Sequence, residues 1–200
     1  TRCVVTAPAC AEMTKYAVAA SRAMRVSFIN EMSRLSEAFG ADINRVRQGI
    51  GLDREIGLEY LRPGPGYGGS CLSKDLEALN HFAHAAGVEM KIPPAVAAAN
   101  ARQQEHMIAK AVALLDGDVD GKTIAILGLS FKPNTDDIRE SPAITILKGL
   151  MERGAKIKAY DPVAMPITQL QLPNVDYCYD AYSACTDAHA VVIATLWNQF

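Results

Sequence analysis

Apart from one glycine-rich loop, the apolar residues of the first 115 positions recur every three or four residues. At Asp116-Gly-Asp-Val-Asp-Gly121 that rhythm stops, and a β-branched and aliphatic run, Thr123-Ile-Ala-Ile-Leu-Gly128, takes over. Side chains repeat every ~3.6 residues on a helix and every ~2 on a strand, so the two halves cannot share one kind of secondary structure. The sequence therefore predicts a helical domain over 1–118 and an α/β domain over 119–200.

In the helical half, Tyr16, Ala19, Ala20, Ala23, Val26, Phe28, Ile29, Met32, Leu35 and Phe39 predict a helix from Glu12 to about Phe39, closed by Gly40 and buried on more than one face. Asp42 is the expected N-cap of a shorter helix through Ile43, Val46 and Ile50, with Gly51 closing it. Leu76, Leu79, Phe82, Ala83 and Ala86 predict a third helix ended by Gly87. Pro93 and Pro94 open a fourth, from Ala95 to about Leu115. In the second half the expected order is a strand to Gly128, a helix from about Ser141 to Arg153 capped by Gly154, a strand Lys156–Tyr160, and a late strand Ala190–Leu196. Strand, helix, strand at this spacing predicts a parallel unit of a doubly wound sheet.

Charge and cysteine usage narrow the function. Twenty basic against twenty-two acidic residues give a net charge of -2, with no basic field to attract a phosphate backbone, so nucleic-acid binding is not expected. The five cysteines, Cys3, Cys10, Cys71, Cys178 and Cys185, form no C-x-x-C pair, which argues against a zinc site or a disulfide framework and for a reducing, cytoplasmic setting. His81 and His84 are three apart on a helix, but no third ligand accompanies them, and no metal is expected. No apolar run approaches the about 18 residues of a membrane span. Thr1 in place of Met, and an apolar run that stops at Phe200, suggest a piece of a longer protein.

The stretch from Arg62 to Cys71 holds four glycines and two prolines in ten residues and must be an irregular loop. Such a loop lets backbone approach a ligand closely, and the helix that begins after it aims free N–H groups and a positive dipole end at Cys71. Lys74 adds charge, and Asp75, four residues on, shares the face of Cys71. This setting points to a reactive thiol with an acid/base partner. Gly128 to Ser141 joins a strand to a helix, where doubly wound sheets bind ligands, and Lys132 and Arg139 suit phosphates. The full G-x-G-x-x-G fingerprint is absent, and a solvated loop with surface ion pairs remains open. Gly117 to Thr123 imitates a phosphate loop but is one residue short and precedes its strand, so it is rejected. Lys15 and Arg25 read locally as polar-face residues of the first helix.

Gly64-Pro-Gly-Tyr-Gly-Gly-Ser-Cys71-Leu-Ser-Lys74-Asp75, Phe131-Lys132-Pro-Asn-Thr-Asp-Asp-Ile-Arg139-Glu-Ser and Ala159-Tyr-Asp-Pro-Val-Ala-Met165, together with Ala11-Glu-Met-Thr-Lys15-Tyr-Ala and Ser27-Phe-Ile-Asn-Glu31, resemble the UDP-glucose 6-dehydrogenases of the UDP-glucose/GDP-mannose dehydrogenase family over almost the whole chain. Sibling enzymes for GDP-mannose or N-acetylated sugars share much of the pattern. The resemblance implies an N-terminal NAD-binding Rossmann domain absent from this chain, a helical central domain that forms a homodimer, and a C-terminal Rossmann-like domain for the UDP-sugar. It implies oxidation of the sugar C6 alcohol to a carboxylate through a thiohemiacetal and thioester on Cys71, with Lys15 stabilising oxyanions and Asp75 handling water and protons. It assigns the UDP-sugar to Arg62, Pro63, Gly64, Pro65, Gly66, Tyr67, Gly68, Phe131 and Lys132. NAD contacts fall to Cys71, Leu72, Ser73, Lys74 and Arg139.

Two positions depart from the pattern: Ala19 stands where the family usually has asparagine, and Glu55 where it has an arginine that reaches into the neighbouring subunit, with Arg54 as a possible substitute. They motivate an alternative, a non-catalytic nucleotide-sugar-binding and dimerisation module. A cysteine hydrolase pairing Cys71 with His81, His84, His106 or His189 is a third reading.

Overall fold

The structure, a computed structural model, describes residues 3–200; Thr1, the expected start of the helical domain, lies outside them. Two compact units emerge: the chain up to Pro63 with Cys71–Ala99, and Gly64–Ser70 with Asn100–Phe200.

The first unit is helical. Helix α1 (Pro8–Phe39) starts four residues before the expected Glu12 because Pro8, whose missing N–H costs nothing in a first turn, opens it. It ends as expected at Gly40, whose φ of 68° is left-handed; Gly40 N–H donates to Glu37 O and Ala41 N–H to Ser36 O, the paired bonds of a Schellman motif. The expectation of burial on more than one face fails within this chain. Besides Ile29, the buried positions are small or polar ones such as Ala19, Ala23 and Asn30, and Met13, Met24, Phe28, Leu35 and Phe39 are exposed. Helix α2 (Ile43–Leu52) is capped by Asp42, which accepts from Asn44 N–H at 2.8 Å. Gly51 does not close it: it lies inside the helix, where a Cβ would collide with the Leu58 side chain, so close packing and not chain reversal accounts for this glycine. Helix α3 (Ser70–Ala85) follows the glycine-rich loop, and α4 (Ile92–Ala113) carries Pro93 and Pro94 in its first turn and continues into the second unit.

In the second unit, β1 (Thr123–Leu127), α5 (Pro142–Met151), β2 (Lys156–Tyr160), α6 (Met165–Gln171), β3 (Asp176–Tyr177), α7 (Ala181–Cys185) and β4 (Ala190–Ile193) build a parallel sheet in the order β3-β2-β1-β4. Ile124 pairs with Ile157 on one side and with Ala190 on the other. The central strand β1 is buried along Ile124–Leu127, which explains its unbroken apolar run. Ile146, Leu147 and Leu150 of α5 close over Ile124, Ile126 and Ile157. The late strand stops at Ile193, three residues short of Leu196, and α6, β3 and α7, none longer than seven residues, escaped the periodicity reading. Among the described residues no helix is long and apolar enough to cross a membrane.

Candidate active site

Because α3 starts at the end of the glycine-rich loop, Cys71 is its second residue and is exposed. One turn on, Asp75 is only 5% exposed. Helix α1 brings Lys15 to it: Nζ donates to Asp75 Oδ1 at 2.7 Å, while the lysine side chain stays 60% exposed. The Asp75 hydrogen bond raises the Lys15 pKa above the ordinary lysine value of 10.5 against partial desolvation, and the charges of Asp75, Tyr16 and Cys71 add to the rise. Lys15 is therefore charged at neutral pH, and the Cys71 sulfur lies within its electrostatic range. A fixed ammonium, a buried carboxylate and an exposed thiol at a helix start can stabilise a developing oxyanion, move a proton and attack a carbonyl.

In the second unit the glycine-rich loop is held on several sides. Asn100 Oδ1 accepts from Tyr67 N–H at 2.8 Å and Asn100 Nδ2 donates to Tyr67 O at 3.1 Å. Gln103 Nε2 donates to Gly64 O at 2.9 Å, and Gly69 N–H donates to Arg139 O at 3.0 Å. A Cβ on Gly68 would strike the Glu140 carbonyl, and one on Gly69, whose φ is 82°, would stand 2.7–2.9 Å from the Phe131 ring. Glycine is thus required here by contact as well as by conformation. Burial pushes the Tyr67 phenol up to about 12.

Phe131 is half-buried and Lys132 exposed, with Nζ 5.3 Å from the Phe131 ring centre. Arg139 is engaged by Asp137 through a two-pronged contact, Nε to Oδ1 at 2.9 Å and Nη2 to Oδ2 at 2.8 Å, which holds the Asp137 carboxyl below its ordinary range. At the end of β2, Asp161 is fully buried; Oδ2 accepts from Leu129 N–H (2.7 Å), Ser130 N–H (3.2 Å) and Trp197 Nε1 (3.3 Å), and Oδ1 from Val163 and Ala164 N–H (2.9 and 2.8 Å). Burial alone would push this carboxyl up, but the backbone donors outweigh it and hold the pKa below the ordinary value. One carboxylate thus ties together the loops that follow β1, β2 and β4.

The structure brings Lys15, Asp75 and Cys71 together in the first unit, and Gly64, Gly66, Tyr67, Gly68, Phe131 and Arg139 together in the second. Lys132 is adjacent in sequence to Phe131, and Pro65 lies half-buried in the loop. Arg62 is exposed and Pro63 half-buried after Leu61, whose carbonyl accepts from Arg47 Nε at 2.5 Å. Leu72 and Ser73 are half-buried and Lys74 exposed on the first turn of α3. Arg25 is more than a polar-face residue: its guanidinium donates to Glu59 O at 3.0 Å and Ile56 O at 2.7 Å, beside a cleft of about 480 Å³ that Thr14, Arg22 and Tyr60 also line. Ala19 is buried in α1, and Glu55 is exposed in a turn where Asp53 Oδ1 accepts from Glu55 and Ile56 N–H. Asn100, Gln103 and Asp161 received no role from the sequence. The available signal for Asn100 was an asparagine, a poor helix former, inside an alanine-rich helix.

Two domain models match the chain. The central domain of the UDP-glucose/GDP-mannose dehydrogenase family covers residues 9–102 and that family's UDP binding domain covers residues 125–200. A UDP-glucose 6-dehydrogenase of Rickettsia bellii is 42% identical over 98% of this chain and 46% of its own length; one from Bacillus subtilis is 44% identical over 94% and 41%. Among solved structures, a UDP-glucose dehydrogenase from Pyrobaculum islandicum superposes with a TM-score of 0.94 at 38% identity, over 98% of this chain and 45% of that one. The chain thus spans a little under half the length of the relatives it matches.

Proposed function

The chain belongs to the UDP-glucose/GDP-mannose dehydrogenase family, and on that premise we propose that it is the central and UDP-binding part of an NAD-dependent UDP-glucose 6-dehydrogenase, divided at 118/119, acting in the cytoplasm as a homodimer. The observation that carries the reading is the Lys15–Asp75 ion pair beside an exposed Cys71 at the start of α3.

NAD, when bound, supplies the oxidant for both two-electron steps. At the start of α3 the N–H groups of Cys71 and Leu72 lack intrahelical partners and fit a contact with a polar cofactor group, and the side chains of Ser73 and Lys74 follow on the same turn. Arg139, in the second unit, would meet an anionic group only by sharing its guanidinium with Asp137. Once the C6 alcohol has become an aldehyde, the Cys71 sulfur adds to that carbon and the carbonyl oxygen becomes an oxyanion beside Lys15. Protonation gives a thiohemiacetal, whose oxidation leaves a thioester. Water, with Asp75 taking its proton, cleaves the carbon–sulfur bond to release the carboxylate and restore the thiol. The glycine loop and Phe131 offer the UDP moiety close backbone and an aromatic edge, and Lys132 offers its pyrophosphate a mobile charge.

Joined to the dinucleotide-binding domain of a relative, the chain should turn UDP-glucose into UDP-glucuronate with two NADH per sugar, and the chain alone should make no NADH. UDP-glucuronate formation by the joined Cys71→Ala protein would overturn the reading. Ala19 and Glu55 favour a second one, a nucleotide-sugar-binding module without catalysis, since a buried alanine offers no hydrogen bond to a sugar. Under that reading iodoacetamide modifies Cys71 no faster than the exposed Cys10; under the catalytic one Cys71 reacts first.

A further inference from the structure

Resting on the proposed UDP-sugar role of the loop, we propose that Asn100 and Gln103 are its positioning residues: two amides on α4 that hold residues 64–67 in the shape that receives the nucleotide. Asn100 pairs with both backbone groups of Tyr67, donor to acceptor and acceptor to donor, as a neighbouring strand would. Its Oδ1 lies so close to the loop that a Cβ on Gly66, where φ is 122°, would stand 2.7 Å away. Asn100 thus leaves no room for a side chain at Gly66, whose positive φ favours glycine in its own right. One helical turn on, Gln103 is 5% exposed and donates to Gly64 O, while its Oε1 is buried with no hydrogen-bond partner among the described residues. The reverse amide orientation would set two carbonyl oxygens face to face, so this one is imposed by the loop.

The orphaned oxygen separates positioning from mere structure. Removing an amide that leaves one buried acceptor unpaired relieves a penalty as it breaks a bond, so folding loses little. The loop nevertheless loses an anchor at Gly64. Gln103→Met and Asn100→Leu are compared with the unaltered chain by thermal unfolding, by calorimetric titration with UDP, and by hydrogen exchange of the Tyr67 amide. Gln103→Met should unfold within a few degrees of the parent and bind UDP about three- to tenfold more weakly, the range set by one ordinary hydrogen bond. Asn100→Leu, if it folds, should lose more UDP affinity and expose the Tyr67 amide to exchange. If Asn100→Leu does not fold, Gln103→Met alone decides. Undiminished UDP affinity in a folded Gln103→Met overturns the positioning role and leaves the proposed function standing. No UDP binding by the unaltered chain overturns both.

Discussion

Lys15 and Asp75 are sixty residues apart in sequence and 2.7 Å apart in space, an exposed ammonium reaching down to a carboxylate that is only 5% exposed. The asymmetry matters. Screening by water keeps the pair from contributing much to folding, yet the buried carboxylate fixes where the cation sits. Lysine is here a charge held in place, as oxyanion stabilisation requires.

Replacing Lys15 by Met should therefore abolish turnover in the protein joined to a dinucleotide-binding domain while lowering the unfolding temperature only slightly. The sign of the pH effect follows from the raised pKa. The lysine's contribution is fully present below its ordinary value of 10.5 and disappears as pH rises through the higher folded value. The small difference in melting temperature between parent and Lys15→Met should hold from pH 7 to about 10.5 and close above it, which scanning calorimetry at several pH values would show.

Asp161→Asn should cost about 3 kcal/mol, because an amide NH2 would face backbone donors in a site with room only for acceptors. Urea denaturation measures this, and an unchanged midpoint would show that the carboxylate does not tie the strand-end loops. As its pKa is depressed, its stabilisation is present above the ordinary value of 3.8 and should fade as pH drops through the lower folded value.

Gly68→Ala should destabilise by about 1–3 kcal/mol, since the new methyl meets the Glu140 carbonyl and Pro142, whereas Gly64→Ala, with nothing within 4 Å and no left-handed φ, should unfold as the parent does. Equal melting temperatures for the two would contradict the packing described for this loop.

Met13, Met24, Phe28, Leu35 and Phe39 are exposed and, at about 100° per residue, fall within an arc of about 80° on α1. A second copy of the chain is the occupant expected for this stripe. Sedimentation should show a dimer for the parent and a monomer for the Phe28→Glu, Leu35→Glu double variant; a monomeric parent would refute the assignment.

The long helices, the buried strand β1 and the glycine loop were legible because each is written locally, in apolar spacing, capping residues or a run of glycines and prolines. The short α6 and α7 were not, since a helix of seven or five residues is too brief to show a period. Gly51 misled for a related reason: a glycine that ends a helix and one that admits a neighbour's side chain look alike in sequence.

What the amino-acid order determined by itself is the division into a helical and an α/β half, and a cysteine placed at the junction of loop and helix. Only the tertiary structure decided that Lys15 meets Asp75 and that Asn100 and Gln103 hold the loop. Periodicity and capping act over one or two helical turns and can be read along the chain. The partner of a charge or an amide thirty to sixty residues away is chosen by packing, which brings distant elements within hydrogen-bond reach and leaves no mark at either position alone.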